Sequence, residues 1–216
     1  MKKLLPLLVI VSLLVPASVR AYTVTTNRPR IWIEPEDVAG IAADAYTAGK
    51  AQTQYAAVKS WVDSHINDSP SGISQDVGYR TCDHAAYNMA YHLMNTSLVY
   101  LVEKERASSG YAAYGQRVAD LLYYLANSGS GVYSHSAGSG DDYGMSYPSL
   151  AVAYDWCRDQ LNYAGHLATI SDYLSDIASS AVTSNTCKHW TDSNYEPRKT
   201  EEPWQAGTIA LSIYGE

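Results

Sequence analysis

Residues 86–125 decide the fold and read AYNMAYHLMNTSLVYLVEKERASSGYAAYGQRVADLLYYL. In both halves of this stretch, apolar or small residues recur every three or four positions, which is the period of an amphipathic α-helix. The two stripes are Ala86, Met89, Ala90, Leu93, Ser97 and Leu101, then Tyr111, Tyr114, Val118, Leu121, Leu122 and Leu125. A short Ser-Ser-Gly turn separates them, so the stretch predicts two antiparallel helices packed side by side.

The same period extends over most of the chain from Glu34 onward. Pro35 predicts the opening of the first helix and Gly215 the cap of the last. The five further stripes are Val38, Ile41, Ala42 and Ala45; Tyr55, Val58, Val62 and Ile66; Leu150, Ala153, Tyr154, Cys157 and Leu161; Leu167, Ile170, Leu174, Ile177 and Ala181; and Ala206, Ile209, Ala210 and Ile213. Only residues 31–33 (Ile-Trp-Ile) are strand-like, so the sequence predicts an all-α protein.

The connections between the predicted helices differ in length. A second short turn, residues 162–165, predicts that the fifth and sixth helices also form an antiparallel pair. Three longer connections, residues 67–81, 127–146 and 184–203, are rich in Gly, Ser, Asp, Asn, Tyr and His. Long connections in compact domains commonly carry function, so we expect helical hairpins whose long loops form a functional face.

The composition excludes several classes of protein. Of the 216 residues, 46% are hydrophobic and 17% are charged, which excludes a disordered or fibrous chain. The length is sufficient for the core of one domain. The formal net charge of −7 argues against a surface that binds nucleic acid, because such a surface needs a basic patch.

The first 21 residues have the pattern of a secretory signal peptide. Lys2 and Lys3 precede an apolar run over residues 4–15, and Val19-Arg20-Ala21 forms a cleavage pattern of small residues. An uncleaved anchor is the alternative, although the run is short for a membrane span. Cleavage removes three positive charges and no negative ones, so residues 22–216 carry −10 instead of −7. We therefore expect a secreted or periplasmic protein with no membrane contact after cleavage.

Export permits disulfides, and the chain contains three cysteines. Cys157 lies on an apolar helical stripe, where a buried thiol behaves as a small hydrophobic residue. Cys82 and Cys187 lie near the ends of predicted loops and are the favoured pair for a bridge. The cysteines have neither a Cys-x-x-Cys pattern nor a Cys/His spacing suited to zinc.

Four segments resemble, in order, the heparinase II/III-like and alginate-lyase-like polysaccharide lyases. Residues 28–38 (RPRIWIEPEDV) resemble the opening "HPR-aromatic-apolar-x-PEDL" of that family. Residues 90–125, with YGQRVA at 114–119, are similar to its second hairpin. Residues 149–156 (SLAVAYDW) are similar to its "LALAYDWLY" helix, and residues 206–216, ending ALSIYGE, to its "ALAIYGE" helix.

The resemblance implies that residues 22–216 form helical hairpins of an incomplete (α/α) toroid, whose loop side binds sugar. Family members continue with further hairpins and a β-sandwich domain, so we expect this chain to be the N-terminal part of a longer lyase and to be inactive alone. The resemblance also implies cleavage of a uronate-containing glycan by β-elimination. The implied partner is an anionic polysaccharide, and no cofactor is implied.

The resemblance points to residues 187–195 (CKHWTDSNY) for the chemistry. β-Elimination needs a group that neutralises the uronate carboxylate, a base for the C5 proton and a proton donor for the leaving oxygen. His189 is the candidate base or carboxylate neutraliser, Asn194 a carboxylate ligand, and Tyr195 a candidate for proton transfer. The family's Asn-Asn-His triplet is absent and the order of Asn and His is reversed, so a solvated loop with an incidental His is the alternative.

The candidate substrate-binding residues lie in two segments. Trp190 would stack on a sugar ring, and Arg198 belongs to a locally basic stretch that suits an anionic glycan. The second segment, rich in aromatic residues, contributes Tyr133, His135, Tyr143 and Tyr147. Asp141 and Asp142 lie in the same segment, but adjacent residues seldom supply the two opposed carboxyl groups of a glycosidase.

Other chemistries have weaker support in the sequence. His84, Asn88 and His92 share one stripe of the third predicted helix, but no HExxH pattern or carboxylate accompanies them, so we predict packing and no metal. The Gly-rich residues 138–144 lack the Lys-Ser/Thr of a phosphate loop. Two alternative functions stay open, a toroidal glycoside hydrolase and a non-catalytic secreted helical module that binds glycan.

Overall fold

The computed structural model describes residues 27–75, 83–128, 146–183 and 207–215. A single 3-10 turn, Pro35–Asp37, leads into the first helix. The helices that follow are α1 (Val38–Asp44), α2 (Lys50–His65), α3 (Pro70–Gln75), α4 (Asp83–Glu105), α5 (Tyr111–Ser128), α6 (Ser146–Trp156), α7 (Arg158–Tyr163), α8 (Leu167–Thr183) and α9 (residues 207–213). The described residues contain no strand, so the prediction of an all-α protein is confirmed.

The hairpin predicted from residues 86–125 is formed by α4 and α5. After α4, Ala107 adopts a positive φ of 51°, and the backbone N–H of Ser108 donates to the carbonyl of Glu103 at 3.0 Å. This hydrogen bond closes the end of α4 and reverses the chain within a few residues. The two helices then pack along each other, as the short turn predicted.

The main core lies between α4, α5 and α6. Its fully buried side chains interdigitate at the positions that the helical stripes predict. They include Met89, Leu93 and Tyr100 from α4, Val118, Leu121 and Leu122 from α5, and Leu150 and Tyr154 from α6. The core therefore occupies one side of α4 and holds this long helix in place.

The opposite side of α4 carries a second, smaller cluster with α1 and α2. Val99 and Val102 of α4 pack there against Tyr55 and Val62 of α2. The buried carboxylate of Glu103 accepts hydrogen bonds from the hydroxyl groups of Tyr46 and Tyr55, the latter at 2.6 Å. Apolar packing and a satisfied buried charge together fix α2 against α4.

The prediction of one continuous fifth helix over residues 150–161 is wrong, because these residues belong to two separate helices, α6 and α7. Cys157 stands between the two helices with φ −109° and ψ 12°. Cys157 and Leu161 are both buried, so the apolar stripe continues across the junction of the two helices. The pattern of apolar residues therefore does not indicate that the helix is interrupted. The prediction of a buried Cys157 thiol is confirmed. Cys82 and Cys187 lie outside the described residues.

Two other local predictions are wrong. Residues 31–33 form bends instead of a strand, and Trp32 adopts a positive φ of 66°. The predicted loop over 67–81 contains the short helix α3, whose first turn is stabilised where Ser69 Oγ accepts a hydrogen bond from the N–H of Gly72 at 2.9 Å. A Ser followed by Pro at the first helical position is a known start signal for a helix.

The remaining long connections, residues 129–145 and 184–206, lie outside the described residues. At the other end of the chain, Gly215 has a positive φ of 85° just after α9, which confirms its predicted role as a cap. Among the described helices, none has both the length and the apolar character needed to cross a bilayer.

Candidate functional site

A cleft of about 740 Å³ lies between α2, α3 and the first half of α4. Each of its two walls consists of residues three or four positions apart, because such residues project from the same side of a helix. Trp61 and His65 are four apart near the end of α2. Asn88, Tyr91, His92 and Asn95 come from successive turns of α4, and Asp68, Ser69, Gly72 and Ile73 close the cleft from the α2–α3 corner and α3.

Three aromatic rings form a contiguous group in this cleft. The rings of Trp61 and His65 stack, with centroids 4.5 Å apart and planes 19° apart. The ring of His92 lies tilted against Trp61 at 4.8 Å and edge-on to His65 at 5.9 Å. Because each ring contacts the other two, the group is held in one arrangement at the junction of α2 and α4.

His65 is oriented by the backbone of its own helix. Its Nδ1 lies 2.7 Å from the carbonyl oxygen of Trp61, one turn earlier. Ser64 Oγ donates a hydrogen bond to the same carbonyl at 2.7 Å and lies 2.9 Å from His65 Nδ1. The imidazole is therefore fixed both by stacking and by hydrogen bonding.

His92 is buried and stays neutral over the ordinary pH range. Burial, and next the nearby positive charge of Arg117, lower the pKa of His92 to about 4. A neutral imidazole has one donor and one acceptor nitrogen, so His92 offers the cleft hydrogen bonding without charge.

Arg117 connects the cleft to the core hairpin. It projects from α5, is almost fully buried, and its guanidinium Nη2 donates a hydrogen bond to the carbonyl oxygen of Asp68. Asp68 precedes α3, so this contact holds the corner between α2 and α3 against α5. One buried arginine thus both positions a wall of the cleft and acts electrostatically on His92.

The structure describes none of the predicted site side chains. Residues His189, Asn194, Tyr195, Trp190, Arg198, Tyr133, His135 and Tyr143 all lie in segments outside the described residues. Tyr147 belongs to α6, but its side chain is also outside the described part. Their proposed roles therefore remain predictions.

Part of the predicted histidine stripe of α4 can be placed relative to the cleft. Asn88 and His92 line the cleft, whereas the side chain of His84 lies outside the described residues. Among the described side chains, no group of three or more His, Cys, Asp or Glu residues could hold a metal ion. Sequence reasoning missed Trp61 and His65, although a Trp and a His four positions apart before a turn were visible as a signal.

The N-terminal segment 28–31, helix α6 and helix α9 meet around one buried carboxylate. Asp155 of α6 is 1% exposed and accepts hydrogen bonds from Arg28 Nη1 at 2.6 Å and from the backbone N–H groups of Arg30 and Ile31 at 2.6 and 2.9 Å. Arg28 and Arg30 also donate to the carbonyl of Ser212 in α9, at 2.8 and 3.1 Å. The N-terminal segment, α6 and α9 are thereby joined at one point.

Comparison of the chain with protein-family models, with curated proteins and with solved structures finds no match in any of the three.

Proposed function

We propose that the protein binds a uronate-containing glycan in the cleft between α2, α3 and α4, and that it acts as part of a secreted polysaccharide lyase of the (α/α) toroid type. The observation that carries this proposal is the composition of the cleft, which combines aromatic rings, two amides and a neutral imidazole. The meeting of the three family-like segments at Asp155 supports the toroid part of the proposal.

The cleft has the size and chemistry expected for a sugar. Its volume of about 740 Å³ lies within the usual range for ligand sites. Sugar rings have apolar faces that pack on aromatic rings, and the aromatic residue Tyr91 is 43% exposed. Asn88 and Asn95 can each donate to and accept from hydroxyl groups, because an amide carries both functions.

The lyase chemistry divides between this cleft and the predicted segment 187–195. Removal of the C5 proton becomes easier when a hydrogen-bonding or cationic group neutralises the adjacent carboxylate. We assign that role to His189 and Asn194, with Tyr195 in proton transfer through water to the leaving oxygen and Trp190 and Arg198 in substrate binding. Tyr133, His135, Tyr143 and Tyr147 are proposed to contact further sugars.

An ultraviolet assay for the unsaturated uronate product tests the proposal. The full-length protein is incubated with alginate, heparan and related chains, and we expect the absorbance of the new double bond to rise. The double variant N88A/N95A is expected to lower kcat/KM at least about tenfold, because it removes amide contacts to the sugar. The matched control is N162A, which alters an exposed amide away from the cleft.

Other outcomes of this assay contradict the lyase proposal and identify the alternative. Release of reducing ends without an unsaturated product would indicate a glycoside hydrolase. Glycan binding that survives H189A/N194A, with no turnover on any chain, would indicate a non-catalytic binding module.

A further inference from the structure

We propose that His65 is the catalytic proton acceptor of the cleft and that its Nε2 is the nitrogen that takes the proton. This inference rests on the proposed lyase function and deepens it by naming the group that acts on C5 of the uronate. It follows from how the imidazole is held by its own helix.

The hydrogen bond at Nδ1 determines which tautomer His65 adopts. A carbonyl oxygen can only accept a hydrogen bond, so Nδ1, 2.7 Å from the carbonyl oxygen of Trp61, carries the ring proton. The hydrogen bond of Ser64 supports this assignment. Ser64 Oγ donates its only proton to the same carbonyl oxygen and therefore does not donate it to Nδ1. In a neutral imidazole with the proton on Nδ1, the basic lone pair is on Nε2.

Nε2 is directed away from the backbone of α2. The two ring nitrogens lie on different edges of the imidazole, and the Nδ1 edge is turned back toward the preceding helical turn. His65 lines the cleft, and within the described residues its Nε2 has no hydrogen-bond partner. A base held in this way can contact a bound ligand without first breaking a protein hydrogen bond.

The neighbouring rings suit a proton-accepting role for His65 more than for His92. The indole of Trp61 stacks on the His65 ring at 4.5 Å, and an aromatic face attracts the imidazolium that forms when the proton arrives. His92 is buried and holds a proton only weakly, because its pKa is lowered to about 4. A general base must hold the proton that it takes from the substrate, so His92 is the poorer acceptor.

A uronate bound in the cleft loses its C5 proton and its O4 substituent. The C5–H bond breaks and its proton moves to Nε2 of His65, while its electron pair forms the C4–C5 double bond. The C4–O4 bond breaks with its pair on the leaving oxygen, which takes a proton from water. The resulting hydroxide removes the proton from His65, so the protein returns to its initial state.

A spectroscopic experiment tests the orientation of His65 without any substrate. Long-range ¹H–¹⁵N correlation spectra of the full-length protein distinguish the two imidazole tautomers, and H65N identifies the His65 signals by their loss. We expect the Nδ1–H form for His65. The Nε2–H form would overturn the proposal, because the basic lone pair would then be on Nδ1 and would face the helix.

Two substitutions separate a catalytic role from a structural one. In H65N the amide NH₂ occupies the place of Nδ1–H and can still donate to the Trp61 carbonyl, whereas no basic group replaces Nε2; H65A lacks both. We expect both variants to lose about 100-fold or more in turnover with glycan binding changed by less than about threefold, and added imidazole to restore part of the H65A activity. The matched control is H166N, since His166 stacks on Tyr123 outside the cleft.

The results distinguish failure of this assignment from failure of the proposed function. Wild-type activity with equally active H65N would overturn the assignment alone. A wild-type protein that yields no unsaturated product on any uronate chain would overturn both.

Discussion

At the scale of single residues, His92 illustrates how burial sets protonation in this protein. The side chain is 6% exposed, and the charge of Arg117 is close enough to oppose a second positive charge. Removing an imidazolium from water costs free energy that the nearby carboxylate of Asp68 offsets only in part, so the neutral form dominates. A buried histidine with a lowered pKa makes the free energy of unfolding depend on pH.

We predict that the free energy of unfolding decreases as the pH falls from about 6.5 toward 4. The unfolded state binds a proton at His92 near its ordinary pKa of about 6.5, whereas the folded state does so only near 4, so protons favour unfolding between these values. The contribution is up to about 3 kcal/mol. Urea denaturation at several pH values measures it.

The control for this prediction is H92Q, which removes the titrating group. The stability of H92Q should fall less steeply over the same pH range than that of the wild type. Equal slopes in the two proteins would contradict the assignment of this pH dependence to His92. The signal of the His92 ring proton should independently titrate close to pH 4.

At the scale of helices, the close approach of α5 to its neighbours depends on Gly115. A Cβ built at this position would lie 2.6 Å from Cε2 of Tyr100 in α4 and 2.8 Å from Cγ of Gln160 in α7. Tyr100 is fully buried, and its hydroxyl donates to both carboxylate oxygens of Asp159 at 2.9 Å. The tyrosine ring therefore has little freedom to move away from an added methyl group.

We predict that G115A destabilises the protein by about 1–3 kcal/mol, because the methyl group overpacks the contact between α4, α5 and α7. The matched control is G40A in α1, where nothing lies within 4 Å of the added Cβ. There the better helix propensity of alanine should stabilise the protein by about 0.5–1 kcal/mol. Thermal denaturation of both variants measures the opposite signs, and a stabilising G115A would refute the close approach.

At the scale of the whole molecule, Asp155 joins parts of the chain that are remote in sequence. Its carboxylate pairs with Arg28 at 2.6 Å and with Arg30 Nε at 3.7 Å, and both arginines also bind carbonyls at the end of α9. Trp156 adds a hydrogen bond from its indole N–H to the carbonyl of Ile31 at 3.0 Å. The N-terminal segment thus bridges α6 and α9.

We predict that D155N destabilises the protein by about 3–5 kcal/mol, because it leaves the charges of Arg28 and Arg30 in a buried site without their carboxylate. D176N is the matched control, since Asp176 is an exposed residue of α8. Chemical denaturation gives both values. A D155N protein within about 0.5 kcal/mol of the wild type would show that the N-terminal segment is not anchored here.

Much of the fold was predictable because helical periodicity is a local property. The stripes at Leu121 and Leu122 in α5 and at Ile170 and Leu174 in α8 became buried as predicted. The break at Cys157 was not predictable, since burial continues on both sides of it. The helix α3 carried a Ser-Pro start signal but lacks the length over which periodicity becomes visible.

The candidate cleft was only partly predictable. The stripe containing Asn88 and His92 was recognised from the sequence, but the facing residues Trp61 and His65 were not. The apolar pattern of a helix does not indicate which other helix packs against it. The predicted residues around His189 belong to segments outside the described residues and stay predictions. The contact of Arg117 with Asp68 and its effect on His92 were not predictable either, because they also depend on which helices pack together.

The sequence by itself determined that this protein is helical and which side of most helices is apolar. These properties depend on residues within a few positions of one another. Only the tertiary structure decided that Trp61, His65 and His92 share one cleft, that Arg117 stands behind it, and that Asp155 holds the N-terminal segment against α9. Those contacts join residues far apart in the chain, and they form only when the cores on both sides of α4 have fixed the helices relative to one another.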